Sequence, residues 1–127
     1  MSSPAQRIPG PDHPITVTPS KDRVVVRVGD RVVADTRRSL SLQEASYPVV
    51  HYIPREDVDM SLLERTEHHS YCPYKGDASY YSIPSAGERG TNAVWTYERP
   101  YDAVASIKDH VAFYGTRVDV IEVTPAD

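Results

Sequence analysis

The segment from Arg23 to Thr36 constrains this chain more than any other. It reads Arg-Val-Val-Val-Arg-Val, then Gly29-Asp30, then Arg-Val-Val-Ala-Asp-Thr. Apolar residues recurring every second position around a Gly-Asp step form the pattern of a β-hairpin. A loop of Gly29-Asp30-Arg31 sets Val28 opposite Val32, Val26 opposite Ala34 and Val24 opposite Thr36. That register gathers one apolar set on one face and places Arg23, Arg27 and Asp35 on the other, whereas a two-residue loop mixes the faces. The wider composition agrees: 16 Val and 9 Tyr stand against 4 Leu and 2 Met. β-branched and Tyr side chains suit a pleated sheet, and helices prefer Leu and Met, so an all-helical bundle is excluded.

At 127 residues the chain has room for one core. Prolines at 4, 9, 11 and 14 mark residues 1–14 as a Pro-rich arm laid on the surface, and residues 15–127 read as a single β domain. Further strands are expected at Leu40 to Glu44, Val49 to Ile53, Ala78 to Ile83, Asn92 to Tyr97 and Val118 to Val123. Between Pro54 and the His68-His69 pair lies the best helical segment, with Val58, Leu62 and Leu63 on one side and Asp57, Asp59 or Ser61 as its cap. A second short helix is expected at Asp102 to Ile107, with Asp102 as cap. Short strands at regular spacing predict an antiparallel sheet or small barrel.

The net charge of −4, without a basic stripe, argues against nucleic-acid binding. The single cysteine, Cys72, cannot form an internal disulfide, which fits a reducing compartment. Neither a signal-peptide segment nor a membrane-length apolar run occurs, so the sequence reads as cytoplasmic, with no membrane partner.

Several segments occur together and in order: Val33-Ala34-Asp35-Thr36 leading to Leu40-x-Leu42-x-Glu44, Tyr47-Pro48-Val49-Val50-His51-Tyr52-Ile53-Pro54-Arg55-Glu56-Asp57-Val58, Cys72-Pro73-Tyr74-Lys75-Gly76-x-Ala78-Ser79-Tyr80-Tyr81, Asn92-x-x-Trp95-x-Tyr97 and Ala112-Phe113-Tyr114. From about Ile15 to Val123 the chain resembles a bacterial family, the domain of unknown function 427, also catalogued as nucleotidyltransferase-like. The resemblance implies an all-β, antiparallel, β-tent-like fold similar to that of methionine sulfoxide reductase B, with one or two short helices. It implies no established reaction.

Many β-tent proteins carry zinc on two Cys-x-x-Cys knuckles, which one cysteine cannot build. His68, His69 and Cys72 lack a fourth ligand, so neither metal nor cofactor is expected. The Asp57-Val58-Asp59 step matches the carboxylate half of a nucleotidyltransferase site, but no Gly-Ser turn or phosphate-cradling loop accompanies it. Helix capping is the better account of those carboxylates.

Cys72 is the candidate catalytic residue, because nearby Lys75 would favour a thiolate; a small buried hydrophobe is the competing reading. The tyrosines exceed what a core needs. Tyr52, Arg55, Lys75, Tyr80, Trp95 and Tyr97 are the candidate ligand-binding set, supported by Glu44 and Tyr74, in an aromatic-walled pocket for a small anionic or planar molecule. The competing readings are a tyrosine wall knitted by hydrogen bonds, with an Arg55–Glu44 ion pair as a staple, and an exposed aromatic face that docks a partner or a second copy. Nothing in the sequence indicates homo-oligomers.

Overall fold

The turn signals and alternating apolar residues resolve into ten strands among the described residues, 6–126 of the computed structural model. These are β1 (Ile15–Pro19), β2 (Arg23–Val28), β3 (Arg31–Thr36), β4 (Leu40–Glu44), β5 (Val50–Pro54), β6 (Glu64–Cys72), β7 (Gly76–Ser82), β8 (Val94–Thr96), β9 (His110–Phe113) and β10 (Val120–Thr124). Seven form one sheet in the order β1-β4-β5-β9-β8-β7-β6, and three form a second in the order β10-β2-β3. Every pairing is antiparallel. The chain has the expected all-β, tent-like arrangement of one large and one small sheet.

One apolar cluster joins the two sheets. Val24, Val26 and Val28 of β2 meet Ile53 of β5, Val94 of β8 and Val111 and Phe113 of β9, all buried. The other face of the large sheet carries a second cluster around Leu42, Tyr52, Tyr80, Tyr97 and Ile107. Burying a Val or Ile side chain contributes on the order of 1.5–3 kcal/mol, so these two clusters supply most of the driving force for folding.

Three details depart from the sequence reading. The β2–β3 hairpin keeps Val24 opposite Thr36 and Val26 opposite Ala34, but Arg27 pairs with Val32 and Val28 with Arg31. The loop is therefore the two residues Gly29-Asp30, with Gly29 at φ +59°, and a bulge between Val26 and Arg27 absorbs the change of face.

The stretch after Pro54 is not a continuous helix. It makes single 3-10 turns at Arg55–Asp57 and Met60–Leu62 and then enters β6. The Asp59 N–H donates to the Val33 carbonyl at 2.8 Å, and Val58 bridges Ala34, so backbone bonds to β3 override local propensity. Val58, Leu62 and Leu63 still pack on the first cluster. Asp59 caps the second turn by accepting from the Ser61 N–H. Asp102–Ile107 is a short 3-10 segment that follows Tyr101 without a side-chain cap from Asp102.

Residues 1–5 of the Pro-rich arm lie outside the described residues. The rest of the arm runs along the β6–β7 hairpin loop, where the Arg7 N–H donates to the Pro73 carbonyl at 2.9 Å. No helix among the described residues is long and apolar enough to cross a membrane.

Candidate functional site

Lys75 sits in the loop between β6 and β7, and the chain reverses there through Gly76 at φ +108°. A Cβ at Gly76 would lie 3.3 Å from the Arg99 carbonyl oxygen, so both the dihedral and the close approach call for glycine. The turn aims Lys75 at the end of β4, where its Nζ donates to Glu44 Oε1 at 2.6 Å. The other carboxylate oxygen meets His13 Nε2 at 2.8 Å, and the His13 ring stacks on Tyr74 at 4.1 Å. Burial pushes the Glu44 carboxyl up, but Lys75 and His13 outweigh it and hold it below its usual range. Lys75 also lies over the Tyr97 ring, 5.7 Å from its centre. Glu44 is thus stapled by Lys75 and not by Arg55.

Tyr52 and Trp95 meet across β9. Tyr52 is buried, and its hydroxyl accepts from Trp95 Nε1 at 3.2 Å with the rings edge to face. Burial raises the Tyr52 phenol above its ordinary value, so it stays protonated throughout the physiological range. Tyr80 lies further along β7, with its hydroxyl 2.8 Å from Ser70 Oγ and its ring against His68. Arg55 stands over the Tyr81 ring at 5.8 Å, on the opposite face of the sheet from Tyr80. Of the six candidate ligand-binding residues, Tyr52, Tyr80 and Tyr97 share the second cluster, with Trp95 packed against it and Lys75 over Tyr97, whereas Arg55 stands apart over Tyr81 on the other face.

The remaining candidates have local partners. Cys72 ends β6, packs beside the second cluster, and its carbonyl accepts from the Lys75 N–H. Asp57 accepts from Thr36 Oγ1 at 2.6 Å and from Arg38 at 3.0 Å, while Asp59 caps a turn; the two carboxylates thus have different partners. His68 sets its ring against Tyr80, whereas His69 faces a different neighbourhood. His69 borders a polar cleft where Arg65 grips Glu98 through two bonds of 2.7 and 3.2 Å. Arg65, joined by Ser79, draws the Glu98 carboxyl down to about 2.

A pocket of about 240 Å³ opens between the two sheets. Its cause is a parting of strands. β5 and β9 pair at Ile53↔Val111 and Pro54↔His110, and there the ladder stops. Val49, Val50 and His51 border the gap on one side, Phe113 and Gly115 on the other. Val24 and Val26 from β2 and Ile121 from β10 line it from the small sheet, and Trp95 adds an aromatic wall. Val49, 45% exposed, stands at the mouth. Among the described residues, no lysine, arginine, aspartate or glutamate lines the space. The His51 Nδ1 is buried without a hydrogen-bond partner. Burial holds the imidazole below its usual value, partly offset by Asp22.

Of the sequence-derived set, this pocket takes Trp95 alone. His51 is missed by that set, although a signal exists: it is the one polar residue of Val49-Val50-His51-Tyr52-Ile53 apart from the Tyr52 hydroxyl, and it shares the period-two face of buried Ile53. The valines of β2 read only as core, because nothing local reveals where two strands part.

The family model of the domain of unknown function DUF427 matches residues 16–124. The chain belongs to the DUF427 family. A search of curated proteins returned no match for it. The DUF427 match spans all ten strands except the first residue of β1, and it carries no assigned activity.

Proposed function

We propose that this DUF427 chain is a small-molecule-binding domain whose ligand is planar and uncharged and lies in the pocket between the sheets. The observation that carries this reading is the pocket's lining: apolar walls, two aromatic rings from Trp95 and Phe113, one imidazole, and no charged side chain. Ligand sites combine mostly apolar walls with a few polar groups that fix orientation. A cavity of about 150 Å³ suffices for benzene, so 240 Å³ accommodates one or two fused rings. An anionic ligand fits less well, because Lys75 is engaged by Glu44 and Arg55 stands elsewhere over Tyr81.

A binding domain of this kind needs no catalytic thiol, and a free Cys72 suits a reducing, cytoplasmic setting. A thermal-shift screen of neutral one- and two-ring compounds tests the reading. A ligand at about a hundredfold its dissociation constant adds roughly 2.7 kcal/mol of stability, a shift of several degrees for a domain of this size. Stabilisation by organic anions, with none from neutral rings, would contradict it.

A second reading, a docking face for another protein, draws on the exposure of Tyr47 and Val49 beside the pocket mouth. Concentration-dependent association that Tyr47→Ser abolishes would favour it.

A further inference from the structure

The chain carries a net charge of −4, and carboxylates line several of its surface clefts. Asp77 and Glu98 line the cleft beside Arg65, and Glu56 and Asp109 line the one beside Arg55. A cleft of about 510 Å³, bordered by β6, β7 and the turns before β8 and after β9, is different. Arg117 lines it, and among the described residues no carboxylate does. It shares no lining residue with the pocket between the sheets. Its size falls within the range of small-molecule sites, roughly 300–1,000 Å³.

Local bonding decides which groups are left to bind a guest. Two arginines meet at the turn after β9. Arg89 is committed to the fold: it pairs with Asp119 at 2.9 Å and donates to the carbonyls of Thr116 and Val118. Arg117 donates one N–H to the Arg89 carbonyl at 3.2 Å and, among the described residues, forms no ion pair. Its remaining N–H groups suit an anion gripped through two oxygens. Asn92 stands at φ +52°, a conformation that asparagine adopts more readily than most residues. Its Oδ1 accepts from Thr66 Oγ1 at 2.7 Å, so the carboxamide has its Nδ2 N–H bonds left to give. Thr91 and Thr116 add exposed hydroxyls, and His68 adds an imidazole with at least one N–H. The two phenols serve as wall, because the Tyr80 hydroxyl is bonded to Ser70 Oγ at 2.8 Å and to Tyr114.

We propose that this cleft is a second binding site, for a small phosphate monoester whose carbon skeleton carries hydroxyl groups, with Arg117 gripping the phosphate. A carboxylate offers two acceptor oxygens. A phosphate monoester offers three terminal oxygens and a charge of roughly −1.5 to −2, which better matches a guanidinium, an imidazole, a carboxamide and two hydroxyls. A bare phosphate leaves most of the cleft unfilled, whereas a hydroxylated skeleton supplies bonding partners for Asn92, Thr91 and Thr116. The protein as a whole repels anions, so the attraction is local to Arg117 and weakens as salt rises.

The test titrates the whole protein with ribose 5-phosphate, glucose 6-phosphate and glycerol 3-phosphate at low salt, against inorganic phosphate, glucose and gluconate. Calorimetry gives the dissociation constants, and amide NMR shifts locate the site. The expected result is at least one ester binding about tenfold or more tighter than any of the three controls, with shifts at Asn92, Thr116 and Arg117. Arg117→Gln should weaken that ester about tenfold or more with the melting temperature unchanged, as the loss of a charged hydrogen bond implies. Asn92→Asp, which keeps a residue tolerant of the left-handed backbone and sets a carboxylate in the cleft, should weaken it as much. Binding of none of the esters, equal binding of gluconate or inorganic phosphate, or shifts centred elsewhere would overturn the proposal. So would an Arg117→Gln protein that binds as tightly as the unaltered one. The ligand comparison needs no variant, so the outcome is decided even if neither variant folds. Trp95 and Phe113 report separately on neutral rings between the sheets, so failure here leaves that reading standing.

Discussion

Lys75 Nζ and Glu44 Oε1 lie 2.6 Å apart, with side chains only 13% and 15% exposed, and tie the β6–β7 hairpin loop to the end of β4. Removing one partner of such a pair leaves the other charge largely desolvated. Lys75→Met should therefore cost about 3 kcal/mol in urea unfolding. The double variant Glu44→Gln, Lys75→Met should recover a large part of that loss, since the stranded carboxylate is gone. A loss under about 1 kcal/mol in the single variant would mean that Glu44 is well solvated.

Acid should unfold the protein through its paired carboxylates. Glu98 falls from an ordinary 4.5 to about 2, and Glu44 and Asp57 are also lowered. A folded-state value below the unfolded one gives stability that is fully present above the unfolded value and is lost as pH falls through the folded one. For Glu98 that window runs from about 4.5 down to 2. The melting temperature should drop across it, and Glu98→Gln should drop less between those limits. An identical acid profile in the variant would contradict the pairing with Arg65.

The Gly76 turn positions Lys75 and should tolerate no side chain. The backbone there is at φ +108°, and an added Cβ would stand 3.3 Å from the Arg99 carbonyl oxygen. Gly76→Ala should therefore destabilise by about 1–3 kcal/mol. Gly115→Ala is the control, because its Cβ would make only an ordinary 3.9 Å contact with Ile121 Cδ1. Equal melting temperatures for the two variants would refute the strain.

Cys72 does not line the pocket between the sheets. Cys72→Ala should therefore keep the affinity for neutral rings within a factor of two or so, with stability little changed, as expected for an isolated core-edge substitution. Loss of binding with the fold intact would return Cys72 to the site.

Val49 guards the mouth and is 45% exposed, so a larger side chain there meets water and not the core. Val49→Arg should weaken ring binding at least tenfold while shifting stability by no more than about 0.5 kcal/mol. Unaltered binding would place the ligand elsewhere.

The sequence carries the fold more plainly than the site. Alternation around Gly29 predicts a hairpin whose outer register, Val24 with Thr36 and Val26 with Ala34, is the one observed. The bulge that shortens its loop depends on packing against both neighbours of β2, which no local pattern encodes. Val58, Leu62 and Leu63 announce an apolar face after Pro54, and they do pack on the core. Their backbone geometry follows from bonds to β3, so a helix is the natural but incorrect expectation. In the site, residue types can be picked out while their separation cannot: Arg55 and Lys75 look alike in sequence, yet one stands over Tyr81 and the other over Tyr97. The pocket arises where β5 and β9 part, a feature of tertiary register alone.

The most direct measurement is an amide and indole-side-chain NMR map of the ¹⁵N-labelled protein titrated with indole. The chain has a single tryptophan, so its one indole N–H signal reports on the Trp95 wall without ambiguity. Saturable shifts should appear at Trp95, His51, Phe113 and Ile121, with the Arg65 and Glu98 signals unmoved. Shifts centred on Arg65, Ser79 and Glu98, or none at Trp95, would contradict a ligand held between the sheets.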